Sequence, residues 1–127
     1  MKEQAKKWLS FANEDLRVAK LTLKESIYNQ VCFHAQQTVE KSLKALIEKK
    51  AKVPKEHRLL KLLKICQDMG YTLEKFRNDI EFIDKFYTST RYPFIIGMLP
   101  DGYPTKEDAS KSTEIAETIL SFVGKIL

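Results

Sequence analysis

The sequence predicts an all-α protein, an antiparallel up-and-down bundle of about five helices with a long Pro- and Gly-containing loop before the last. Three observations carry that prediction. Apolar residues recur at helical spacing in five successive segments, and no segment alternates with period two for long. The chain breakers are concentrated: three of the four prolines and two of the four glycines fall between Ser89 and Pro104. Connections elsewhere are short, which makes successive helices antiparallel neighbours. The 127 residues read as a single domain, 1–127, long enough to bury roughly two-thirds of the unfolded surface.

The first helix runs from about Lys2 to Glu25, with Trp8, Phe11, Ala12, Leu16, Ala19 and Leu23 on its inner stripe. The second runs from about Ile27 to Lys50 and turns Tyr28, Cys32, Ala35, Val39, Leu43 and Leu46 to the core. Pro54 and the following Lys-Glu-His open a third, because proline suits a first helical turn. Its inner residues are Leu59, Leu60, Leu62, Leu63 and Cys66, and Gly70 ends it as a C-cap residue. Leu73, Phe76, Ile80, Ile83 and Tyr87 mark a fourth, from about Leu73 to Thr88. The last starts at Thr105, where Thr-Lys-Glu-Asp reads as a capping box, and continues through Ile115, Ile119, Val123 and Ile126.

Composition excludes several classes. An apolar content of 43% with 31% charged residues is that of a soluble globular protein. No apolar run approaches the roughly 20 residues of a membrane span, and the start enters an amphipathic pattern without a signal-peptide core. Cys32 and Cys66 sit on apolar stripes without ligand spacing, which points to a reduced, cytoplasmic protein without a disulfide or zinc site. Four scattered glycines supply no phosphate loop, and no nucleophile elbow is present. Neither a metal nor a cofactor is implied. The net charge of +5 is uneven, since nine basic residues against Glu48 and Glu56 give the stretch from Lys41 to Lys64 a local +7. Such a stretch could attract nucleic acid or a nucleotide, but lysine dominates and aromatics are not interleaved, so a lysine-rich solvated face is the better reading.

Candidate binding residues gather around the second helix. Opposite its core face stand Phe33, His34, Gln37, Glu40, Lys41 and Lys44, a mixture that solubility alone does not explain. Asp15 lies within the apolar stripe of the first helix, and a buried carboxylate requires a donor. Lys41, Lys44, Arg91 or one of the two histidines could supply it, either as a structural ion pair or as part of a polar pocket. His34 shares a face with Gln37 and Lys41, as an interface residue or a phosphate contact. His57, at the start of the third helix, reads as a cap. The segment from Ser89 to Pro104 also holds Tyr92, Phe94, Ile95, Ile96, Met98 and Leu99. It is too apolar for a solvated linker, so it should pack on its own bundle or across an oligomer interface.

These residues resemble a family. The run Phe33-His34-Ala35-Gln36-Gln37 with Glu40-Lys41 and Leu43-Lys44-Ala45-Leu46 is similar to the second helix of HEPN domains. The Pro54…His57-x-Leu59 stretch, the later Thr90-Arg91-Tyr92-Pro93, and Trp8 with Ala12 and Asp15-Leu16 fit the same pattern over nearly the whole chain. The resemblance implies an all-α bundle that forms a homodimer and partners a minimal nucleotidyltransferase as its substrate- or nucleotide-binding component. One branch of the family comprises metal-independent ribonucleases and toxins, marked by an Arg, a polar residue, three to five more positions and then a His. Such chemistry asks for a proton-moving His near the 2′-hydroxyl and an Arg at the crowded phosphate.

This chain departs from that marker. Tyr92-Pro93-Phe94-Ile95-Ile96-Gly97 follows Arg91, and neither His34 nor His57 lies downstream of any Arg at the needed spacing. The expectation is therefore a binding partner and not a free-standing catalyst, with Lys41, Lys44 and Arg91 on phosphate, Gln37 and Tyr92 on base or sugar, and Asp15 and Glu40 orienting the cations. The alternatives are a ribonuclease toxin with a displaced site using Arg91 and His34 or His57, and a purely structural dimerisation module.

Overall fold

A computed structural model describes residues 2–87 and 104–127. Among them are five α-helices and no strand: α1 (Glu3–Lys24), α2 (Tyr28–Lys50), α3 (Leu59–Asp68), α4 (Arg77–Asp84) and α5 (Lys106–Ile126), with a 3-10 turn (Glu74–Phe76) leading into α4. The all-α bundle is thus as the periodicity predicted. Thr105 caps α5 as expected: its hydroxyl accepts from the Asp108 backbone N–H while the Asp108 carboxylate accepts from the Thr105 N–H.

The axis of the bundle is α2. Thirteen of its residues are buried, because α1 lies along one side, α5 packs against both, and α3 and α4 cover the remainder. Leu43 and Leu46 are fully buried and Ile47 nearly so, in a core shared with Leu59, Leu62, Leu63, Ile80, Ile83, Ile119 and Val123. Truncating a side chain such as Leu43 to Ala would cost about 2–5 kcal/mol, transfer and cavity terms together. A smaller cluster of Ala19, Val31, Cys32, Phe86 and Ala109 closes one end. Burial pushes the thiols of Cys32 and Cys66 up to about 12, so both are inert apolar fillers.

Two helix ends show the same geometry built from different residues. Gly70, at φ +100°, ends α3 with the Tyr71 N–H on the Cys66 carbonyl and its own N–H on Gln67. Ser26, at φ +60°, does the same after α1, with Ile27 bonded to Thr22 and Ser26 to Leu23. The glycine was readable from the sequence; the serine was not.

Four expectations are corrected. Phe11 is not a core residue, for it is 51% exposed; it stands on the flank of the α1 stripe, beyond the edge that α2 covers. The third helix begins at Leu59 and not at Pro54, so residues 54–58 form an irregular strap between α2 and α3. His57 does not cap it. The first N–H groups of the helix, on Leu59 and Leu60, donate instead to the Asp84 carboxylate at 2.7 and 3.4 Å, a partner supplied by the end of α4. The fourth helix is correspondingly shorter than expected, with the 3-10 turn replacing its first residues.

Candidate polar site between α1 and α2

The outer face of α2 meets the flank of α1 that carries Asp15. The spacing 34, 37, 41 and 44 places His34, Gln37, Lys41 and Lys44 in one row, while Glu40 stands just beside it. Asp15 faces this row from α1. Its Oδ1 accepts from His34 Nδ1 at 2.9 Å, and its Oδ2 accepts from the Lys41 ammonium. Burial alone would raise the Asp15 carboxyl, but the hydrogen bonds and charges of His34 and Lys41 outweigh it and hold the group below its ordinary 3.8. The buried acid within the apolar stripe therefore has two of the donors that the sequence named.

A second group is organised by Glu40, whose side chain is 4% exposed. Lys44 Nζ donates to its Oε2 at 2.9 Å, and His57 Nδ1 lies 3.1 Å from the same oxygen. Gln37 Nε2 donates to Glu40 Oε1 at 3.3 Å and to Gln36 Oε1 at 2.7 Å, while Gln36 Nε2 donates to the His57 carbonyl at 3.1 Å. That last bond pins the strap, and with it His57, over α2. Packing continues outward: the His57 ring stacks on Tyr87 with centroids 5.5 Å apart, and the Lys44 ammonium sits 5.5 Å from the Trp8 ring centroid.

The two acceptors fix the histidines. An ionised carboxylate only accepts, so Nδ1 of each ring carries its proton toward Asp15 or Glu40 and Nε2 is left for a ligand. Two lysines balance two carboxylates, and among the described residues every buried side-chain N or O atom has a partner. Accessibility differs along the row. His34, Lys41 and His57 reach solvent, whereas Lys44 is buried on Glu40 beneath Trp8 and is withdrawn from any phosphate.

Of the expected site residues, Asp15, His34 and Lys41 come together, as do Gln37, Glu40, Lys44 and His57. Arg91, Tyr92 and the apolar segment around them lie outside the described residues, so their place in the site is not part of this geometry. Gln36, Tyr87 and Trp8 join the network without having been singled out for it. Gln36 carried a signal, an amide four residues after Cys32 and three before Val39, at the edge of the core face; the roles of Tyr87 and Trp8 depend on how separate elements pack and left no local trace. Among the described residues no group of three or more His, Cys, Asp or Glu could hold a metal ion, and no helix is long and apolar enough to cross a membrane.

Comparison with known proteins adds to this picture. Residues 5–126 match the family model of the HEPN domain. The chain is 31% identical over 133 residues to a Methanocaldococcus jannaschii protein named "Putative toxin MJ1304", covering 97% of this chain and 88% of that one. It is similar to the crystal structure of TT1696 from Thermus thermophilus, with TM-score 0.87, 32% identity, and 99% and 100% of the two chains covered. The crystal structure of ST0689, described as an archaeal HEPN homologue, is similar at TM-score 0.76 and 29% identity, with both chains fully covered.

Proposed function

Because the chain belongs to the HEPN family, we propose that it is a cytoplasmic binding component, a homodimer that partners a minimal nucleotidyltransferase and holds a nucleotide or a nucleotide-bearing substrate on the polar face between α1 and α2. The single observation that carries this reading is the paired polar row of α2, closed inward on Asp15 and Glu40 and open outward at His34, Lys41 and His57. An ammonium has three donors and Lys41 gives one to Asp15, so donors remain for a phosphate. Each imidazole Nε2 can add a hydrogen bond, and the amide of Gln37 suits a base or sugar edge. Asp15 and Glu40 orient the cations; Arg91 and Tyr92 are proposed to complete the site from the following segment.

A second reading, a ribonuclease toxin with a displaced site, is favoured by the name of the Methanocaldococcus relative and by the Asp15–His34 pair, which has the form of an oriented general base. The missing downstream histidine weighs against it. Calorimetric titration with nucleoside triphosphates, for the protein alone and with a nucleotidyltransferase encoded beside it, separates the readings. Heat of binding that disappears in Lys41→Ala supports the binding component. Cleavage of RNA by the purified protein, lost in Arg91→Ala, would establish the toxin. No heat in either setting leaves a structural dimerisation module.

A further inference from the structure

Phe11, expected in the core, is exposed, and it does not stand alone. Together with Trp8 it lines a cleft of ≈ 310 Å³ between the start of α1 and the end of α2, flanked by Lys7 and Lys52. Among the described residues those two lysines make no ion pair or hydrogen bond, in contrast to Lys41 and Lys44, each held by a carboxylate. Glu48 is the one acid in the lining. The cleft therefore combines aromatic surface with uncommitted positive charge, and it continues the polar site, because Lys44 of the Glu40 group lies against the Trp8 ring.

We propose that this cleft is a stacking subsite for the base of a nucleoside phosphate, with Phe11 and Trp8 contacting the base and Lys7 and Lys52 the phosphate. The proposal rests on the binding reading above for the class of ligand, and it moves the base and phosphate contacts from Gln37 and Lys41 to the cleft. Three features select this occupant. Aromatic rings beside free ammonium groups complement a ligand that is at once aromatic and anionic. A volume near 300 Å³ is at the small end of ligand sites and suits one nucleotide rather than a protein segment. A copy of the chain whose two-fold axis passed through the cleft would bring the same pair of lysines toward its own counterpart, an arrangement that like charges oppose.

Trp8 is the only tryptophan of the chain, so its fluorescence reports the cleft directly. The protein is titrated with ATP and AMP, with inorganic triphosphate as the ligand lacking a base. Saturable quenching by both nucleotides and none by triphosphate is expected. Affinity should fall about fivefold to a hundredfold in Phe11→Ala, the range of one base–aromatic contact, and also in the double variant Lys7→Ala/Lys52→Ala, with melting curves unchanged. Lys41→Ala distinguishes the two proposals. Quenching that survives Lys41→Ala but not Phe11→Ala upholds the subsite and removes the polar face from nucleotide binding. The reverse pattern overturns the subsite and leaves the polar face standing. Absence of saturable quenching overturns the subsite, as does a Phe11→Ala protein that turns from dimer to monomer with its nucleotide affinity unchanged.

Discussion

Asp15 and Asp84 are both carboxylates drawn out of water, and the two regions that hold them use acidity in opposite ways. Between α1 and α2, Asp15 accepts from His34 and Lys41, and the cations hold it below its ordinary value despite burial. Between α3 and α4, burial raises Asp84, and the Leu59 and Leu60 N–H groups, with the nearby Arg58, compensate only in part. The first region surrounds its acid with side-chain cations and leaves donors facing outward. The second spends its acid on backbone groups of a helix start. The comparison teaches that a buried acid marks a candidate site through what its partners can still do, and not through burial alone.

The strongest way to break this contrast is at Glu40, the other acid of the polar face. Glu40→Ala leaves the buried Lys44 ammonium without its carboxylate and is expected to cost about 3–5 kcal/mol in urea denaturation. Adding Lys44→Met should restore much of that loss, because the uncompensated charge and not the missing contact carries the cost; a double variant as unstable as the single one would show otherwise. Asp84→Ala should cost about 1 kcal/mol, the worth of a helix cap, and should leave ligand binding unchanged. If it removed binding, the two regions would not be separate in function.

Acid titration of stability sharpens the comparison by sign. Asp15 lies below 3.8 in the folded state, so its contribution is present above that ordinary value and is lost as the pH falls through the lower one. Asp84 lies above 3.8, so the folded state takes its proton first, and its contribution is full below 3.8 and declines as the pH rises through the higher one. Denaturation in a series from about pH 6 to about pH 3 should therefore show Asp15→Asn losing stability less steeply than the parent and Asp84→Asn more steeply. Parallel curves would remove the distinction. The smallest effect is expected at Phe11, where Phe11→Ala should shift stability by no more than about 0.5 kcal/mol. A loss of about 3–5 kcal/mol, as for a core phenylalanine, would return Phe11 to the core that its spacing suggested.

Much of this was legible in the sequence. The helical segments, the Thr105 capping box, Gly70 as a helix end and the need of Asp15 for a nearby donor all follow from spacing and residue chemistry within a turn or two. The start of α3 was misread because Pro54 is compatible with a helix start, while the group that caps the helix stands 25 residues away at Asp84. Phe11 was misplaced because a helical stripe has a direction but no width; the breadth of the buried face is set by the helix packed on it. The choice of Lys41 and His34 among the donors for Asp15 was open for the same reason.

By itself, then, the sequence determined the all-α bundle, the register of each core face and the row of polar groups along α2, since these depend on period 3.6 and on side-chain chemistry along one helix. The tertiary structure alone decided which flank residues meet water, which cation reaches which acid and where the cleft of Trp8 and Phe11 opens. Those outcomes belong to pairs of elements far apart in the chain, and a periodicity confined to one helix carries no information about the distance or angle of its neighbour.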